Sequence, residues 1–157
     1  MTNVSPYCSF PVGWTGSAKI MSSQPLVGIV NEVLQDTYLS GSYNHIAGGS
    51  TKVVLHYMPR NSGGWSASFT VQNLGTATTQ ITARYCGSDG TQASTTTVDS
   101  IGVGASKAWY LPSVNGLADG LYSVVVTSDR QPIGAMANAL NTGIAGDGFT
   151  TYNGHNR

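Results

Sequence analysis

The chain has 157 residues, and its seven Lys plus Arg balance seven Asp plus Glu, so the formal net charge is zero. The length suits one domain with a single core. The basic residues are scattered singly, whereas binding to nucleic acid requires clustered positive charge, so we expect no nucleic-acid partner. No apolar run approaches the roughly 18 residues that would span a bilayer, and we expect no membrane span.

The first predicted element is a pair of strands at residues 17–21 and 26–33, within an N-terminal segment of residues 1–50. A lone two-stranded hairpin is at best marginally stable in water. We therefore expect these strands to dock on a sheet edge, either of the same chain or of another copy. The apolar residues predicted to make this contact are Leu26, Ile29, Val30 and Val33.

The rest of the chain, residues 51–157, alternates β-branched or aromatic runs with turns rich in Gly, Asn and Asp. This rhythm is typical of a sandwich or barrel. The Asp89-Gly90 pair is the strongest hairpin signal. The sequence therefore predicts an all-β protein: an immunoglobulin-like antiparallel β-sandwich with an additional N-terminal two-stranded segment. The seven predicted sandwich strands are 52–58, 65–74, 79–86, 93–101, 106–111, 121–128 and 133–140.

An internal repeat links the two ends of the chain. At an offset of 107 residues, Gln24-Pro25 aligns with Gln131-Pro132, and Asn31 aligns with Asn138. After a two-residue insertion, the segment 42–44 aligns with 151–153, and both contain Tyr-Asn. The offset equals about one sandwich unit, so we expect a tandem arrangement in which residues 1–50 form a half repeat. Each of the two aligned asparagines shares a strand face with apolar residues, and each should be hydrogen-bonded.

Several segments resemble immunoglobulin-like repeats of bacterial secreted and cell-surface proteins. They are the run from Gly64 to Ala77, the segment Gln131-Pro132-Ile133-Gly134-Ala135, and the segment from Gly146 to Gly154. The resemblance covers residues 51–154 in full and 13–44 in part. Such modules act as spacers, adhesive units or polymer subunits. The resemblance therefore implies an extracellular or cell-surface location and a tandem-repeat adhesin or filament type of module.

Two cysteines, Cys8 and Cys86, allow one intramolecular disulfide, although free cysteines are often small buried hydrophobic residues. The three histidines have no Cys, Asp or Glu partner at metal-ligand spacing, so no metal and no cofactor are expected. Nucleophile motifs and paired catalytic carboxylates are also absent from the sequence. We therefore expect a protein that is not an enzyme.

The predicted function is that of a structural subunit or module of an extracellular filament, surface layer or adhesin. It would assemble with itself, head to tail, by β-strand pairing. A first alternative is a carbohydrate-binding module, with a cell-surface glycan as the partner and with Trp14, Trp65 and Trp109 as an aromatic platform. A second alternative is a virion structural protein, because residues 1–20 do not have the pattern of a signal peptide.

Overall fold

A computed structural model describes residues 16–34 and 39–157. In these ranges the chain forms eleven strands and one 3₁₀ turn, Leu111–Ser113. The strands are β1 (Ile29–Leu34), β2 (Leu39–Asn44), β3 (Lys52–Arg60), β4 (Ser66–Asn73), β5 (Thr79–Gly87), β6 (Gln92–Ile101), β7 (Ser106–Tyr110), β8 (Gly120–Ser128), β9 (Ile133–Leu140), β10 (Phe149–Asn153) and β11 (His155–Asn156).

Strands β3 to β11 form two antiparallel sheets. One sheet has four strands in the order β10-β9-β4-β7, and the other has five in the order β11-β3-β8-β5-β6. Strands β1 and β2 form a separate two-stranded sheet. The predicted fold class is thereby confirmed: the protein is an all-β antiparallel sandwich with an additional N-terminal two-stranded segment.

The core lies between the two sheets and follows from strict alternation along the strands. On β4, Ala67, Phe69 and Val71 are fully buried, whereas the residues between them are less buried. The facing sheet contributes buried residues of β5 and β8, among them Ile81, Tyr85 and Val124. Because side chains alternate between faces with a period of two, each sheet has one apolar face, and the two apolar faces pack together.

Glycines with positive φ form the tightest turns of the sandwich. Gly90, at φ 82°, ends the predicted Asp89-Gly90 turn between β5 and β6, and its N–H donates to the carbonyl of Gly87. The β3–β4 turn places Asn61, Gly63 and Gly64 at positive φ. A side chain at such a position meets the backbone, so glycine and asparagine are favoured there.

All seven predicted sandwich strands are present, with ends shifted by at most two residues. The predicted strand at residues 17–21 is wrong, because this segment is not part of any strand. The N-terminal hairpin instead pairs residues 29–34 with 39–44. Three strands were not predicted: β2, β10 and the two-residue β11. Each lies in a stretch that has no long run of β-branched residues, and β2 is interrupted by Gly41. The described residues contain no helix long and apolar enough to cross a membrane.

Candidate interaction surface

The N-terminal hairpin β1–β2 and the hairpin β9–β10 have the same register. Val30 lies opposite Tyr43 in the first hairpin, and Ala137 lies opposite Tyr152 in the second. These are the residue pairs that the internal repeat aligns. The repeat is therefore present in the structure as well as in the sequence, and β1 is the counterpart of β9.

The inner face of the N-terminal hairpin packs on the outer face of the four-stranded sheet. Gly41, on β2, is so close to β10 that an added Cβ would lie 2.6 Å from Cγ2 of Thr151 and 2.9 Å from Cε1 of Phe149. The Asn153 side chain donates a hydrogen bond of 2.6 Å to the carbonyl of Asn44. Leu39, at the start of β2, is buried on the same face of the hairpin as Gly41. The hairpin thus forms a third layer over one end of the sandwich.

The two edges of the N-terminal hairpin differ from those of its counterpart. Strand β9 pairs with β10 on one side and with β4 on the other. Among the described residues, β1 pairs with β2 alone, so its second edge has no partner strand. An unpaired edge presents a row of backbone N–H and C=O groups to any strand that approaches it.

The four predicted contact residues are divided between the two faces of the hairpin and the segment before it. Ile29 and Val33 lie on the outer face, and each is 70% exposed. Val30 shares the inner face with Tyr43, while Leu26 precedes β1 and is half-exposed. No strand of the described chain pairs with this segment at a sheet edge, so the predicted docking of the hairpin on a sheet edge does not occur within the described residues.

The contact between the N-terminal hairpin and the four-stranded sheet contains an unusual group of polar atoms. Four side-chain oxygens are inaccessible to solvent and have no hydrogen-bond partner among the described residues: Glu32 Oε2, Asn138 Oδ1, Thr151 Oγ1 and Asn153 Oδ1. Burial raises the pKa of Glu32, and the nearby Asn138 and Thr151 side chains oppose this shift.

A second polar cluster lies at a bulge in β3. The rings of His56 and His155 are 4.6 Å apart, and the His56 ring stacks on Tyr152 at 5.4 Å. Burial and the neighbouring His155 lower the pKa of His56. The third histidine, His45, is not part of this cluster. Its ring nitrogen accepts a hydrogen bond from the N–H of Gly28, and this contact extends the N-terminal hairpin. The described residues contain no group of three or more His, Cys, Asp or Glu side chains that could hold a metal ion.

Two of the three tryptophans of the predicted platform, Trp65 and Trp109, lie in the described chain. Trp65 and Trp109 are half-buried and pack against the core. The Trp109 ring stacks on the buried Phe69 at 5.2 Å. Trp14 lies outside the described residues. Of the predicted cysteine pair, Cys86 is half-buried on β5, and Cys8 lies outside the described residues.

An open cleft of about 480 Å³ lies where the edges of the two sheets separate, between β6 and β7. Its walls include Trp109, Tyr110 and the hydroxyl-bearing segment Thr95–Thr97. Tyr110 is half-exposed at the rim. This cleft was not predicted from the sequence, because most of its lining comes from two strands that do not pair with each other.

The class that the fold defines is the all-β antiparallel sandwich. A solved structure from Thermotoga maritima, described as Thermotoga maritima 1070, is similar, with a TM-score of 0.56 and 18% identity. The alignment covers 69% of this chain and 96% of that one, and at this identity it supports the fold alone. No protein-family profile and no curated protein matches the sequence.

Proposed function

We propose that the protein is a structural module of an extracellular assembly, and that it assembles through the unpaired edge of β1. The observation that carries the proposal is the difference between the two equivalent hairpins. The edge of β9 is covered by β4, whereas the same edge of β1 has no partner strand in the described chain. The resemblance to bacterial cell-surface repeats and the low proportion of charged residues agree with this role.

The exposed residues beside this edge support strand addition. Ile29 and Val33 present apolar side chains at alternate positions on one face of β1. A strand that pairs with β1 gains backbone hydrogen bonds along the edge, and the apolar side chains on the outer face add burial. Between residues 29 and 34 the strand carries no Lys, Arg or Pro, and its one charged residue, Glu32, lies on the inner face opposite Gly41.

The complementary edge is best supplied by β6 of a second copy. Strand β6 has ten residues, lies at one edge of the five-stranded sheet and pairs with β5 alone among the described strands. Its middle, Thr95–Val98, is uncharged and has high β-propensity. A contact between β1 of one copy and β6 of the next uses two different surfaces, so it is head-to-tail and generates a ring or a filament.

The test is the assembly state of the purified protein across a concentration series, by light scattering and negative-stain microscopy. We expect regular particles or filaments from the wild-type chain. The double variant Ile29→Lys/Val33→Lys should remain monomeric, because two charges beside the edge oppose strand addition. The matched control is Val103→Lys/Ile144→Lys, which charges two other exposed apolar residues outside the strands and should still assemble.

Two results would contradict the proposal. One is a wild-type protein that stays monomeric at every concentration. The other is undiminished assembly by the Ile29→Lys/Val33→Lys variant. Circular dichroism should show the same β-sheet spectrum for both variants as for the wild type, so that a loss of assembly is not due to unfolding.

The cleft between β6 and β7 supports carbohydrate binding as a second candidate function. An aromatic ring beside several hydroxyl groups suits a sugar, whose apolar ring face stacks while its hydroxyls form hydrogen bonds. Addition of a glycan should then change the fluorescence of Trp109, and Tyr110→Ala should weaken binding. An unchanged spectrum across a panel of glycans would argue against this function.

A further inference from the structure

We infer that the four oxygens buried between the N-terminal hairpin and the four-stranded sheet form a calcium-binding site. The residues are Glu32 from the hairpin and Asn138, Thr151 and Asn153 from the sheet. This inference is independent of the proposed assembly, because it concerns a contact within one chain.

The oxygens belong to one small region. Asn138 and Thr151 lie opposite each other across β9 and β10, and Asn153 follows Thr151 on the same face of β10. Glu32 lies opposite Gly41 on the hairpin's inner face, and Gly41 lies directly against Thr151, so the Glu32 side chain reaches the same part of the sheet. The orientation of the Asn153 amide is set, because its nitrogen donates to the Asn44 carbonyl. Its oxygen is therefore the atom left without a partner.

The repeat provides an internal comparison. In the N-terminal hairpin the equivalent pair is Asn31 and Ser42, and these side chains bond directly to each other at 2.8 Å. In the second hairpin, Asn138 and Thr151 do not make this bond: both oxygens remain unpartnered beside Glu32. The Asn138–Thr151 pair therefore differs from the equivalent Asn31–Ser42 pair, and the difference occurs where the Glu32 carboxylate lies.

Protonation of Glu32 would supply one O–H donor, and the Thr151 hydroxyl supplies another, so these two donors would have to reach both amide oxygens to satisfy all four atoms. Asn138 Oδ1 and Asn153 Oδ1 receive no such hydrogen bond in the structure. Leaving such acceptors buried and unpaired destabilises the folded state. A bound cation interacts favourably with all of them at once.

Calcium is the cation that this set of oxygens fits. It accepts carboxylate, amide and other neutral oxygens in a flexible geometry, whereas magnesium requires a near-ideal octahedron and zinc prefers nitrogen and sulfur. The site has one carboxylate and three neutral oxygens, so its charge is low. We therefore expect a dissociation constant on the order of 0.1–1 mM, as in extracellular calcium modules.

The test measures binding and stability with calcium chloride as the only added ligand, at constant ionic strength. At a calcium concentration ten times the dissociation constant, the folded state should be favoured about tenfold, and the midpoint of thermal unfolding should rise. Terbium should bind in place of calcium, and Tyr43, which follows Gly41 on the inner face of β2, is near enough to sensitise its emission. Added calcium should displace the terbium and quench that emission.

Glu32→Gln keeps the size of the side chain and removes its charge, so we expect it to abolish both the thermal shift and the terbium emission. Thr151→Val removes one oxygen and should weaken calcium binding several-fold. The control is Asp89→Asn, which removes a carboxylate from the exposed β5–β6 turn and should bind calcium like the wild type.

The inference is wrong if calcium leaves the thermal midpoint of the wild type unchanged, since the oxygens are then satisfied by water or a proton. It is also wrong if Glu32→Gln responds to calcium as the wild type does. Magnesium should give a much smaller shift at the same concentration, and an equal shift would indicate a general salt effect instead.

Discussion

Tyr152 on β10 holds the bulge of β3 through both backbone groups of Tyr57. Its hydroxyl accepts a hydrogen bond from the Tyr57 N–H at 2.9 Å and donates one to the Tyr57 carbonyl at 3.0 Å. The register of β3 against β8 shifts between Leu55 and Met58, so these backbone groups do not continue the regular ladder. Because β3 and β10 belong to different sheets, this side chain also ties the two sheets together.

We predict that Tyr152→Phe lowers the free energy of unfolding by about 1–2 kcal/mol, because it removes both hydrogen bonds at the bulge. Urea denaturation followed by fluorescence measures the change. The control is Tyr122→Phe, which removes one hydrogen bond to the carbonyl of Ala118 at the surface and should cost less. Equal losses in the two variants would contradict a special role for Tyr152.

The second prediction concerns Asn73, a buried residue at the end of β4. Its amide donates to the carbonyls of Ala77 and Ile101, and its oxygen accepts from the N–H of Gly75. Asn73→Ala would leave three backbone groups without partners, and we expect a loss of roughly 3 kcal/mol. The neighbouring Gln72→Ala, tested in the same urea titration, should change stability by less than about 0.5 kcal/mol. A mild effect at Asn73 would mean that water replaces the side chain.

Asp129 should control the acid side of the stability profile. The hydroxyl of Thr79 donates to its carboxylate at 2.6 Å, and this bond, with help from Arg130, lowers the pKa of Asp129 from 3.8 to about 2. A depressed pKa favours the folded state above the unfolded pKa, and the benefit disappears as pH falls from about 4 towards 2.

Asp129→Asn should therefore flatten the loss of stability in that pH window, as measured by thermal unfolding at a series of pH values. Thr79→Val removes the main donor but keeps the carboxylate, and it should flatten the same window in part. A slope that is unchanged in both variants would show that other carboxylates dominate the acid transition.

The docking of the N-terminal hairpin depends on the absence of a side chain at Gly41. Gly41→Val should push β2 away from Thr151 and Phe149, and protease cleavage within residues 16–44 should become faster. Gly48→Val is the matched control, since a Cβ there would meet no atom within 4 Å. Equal cleavage of the two variants would mean that the hairpin is not held by this contact.

The strands of the sandwich and the internal repeat could both be predicted from the sequence alone. Alternation such as that of Ala67, Phe69 and Val71 fixes which face is buried wherever a strand lies, because successive side chains point to opposite sides. The Asp89-Gly90 turn is equally local, since it depends on the φ angle of one glycine. The repeat was readable because Gln-Pro and Tyr-Asn pairs are rare and recur in the same order.

The sequence indicated that Asn138 needed a partner and that Asn31 and Glu32 lie on opposite faces of β1. It could not indicate that Glu32 covers Asn138 and Thr151, because two layers had to pack before these residues met. Nor could it place the hairpin on a face of the sheet, because alternation along β1 defines two faces and does not say which of them packs; in the structure Ile29 and Val33 stay exposed. The packed face is set by the fit of Gly41 over Thr151 and Phe149, which lie far from Gly41 in the sequence and meet it only in the folded chain.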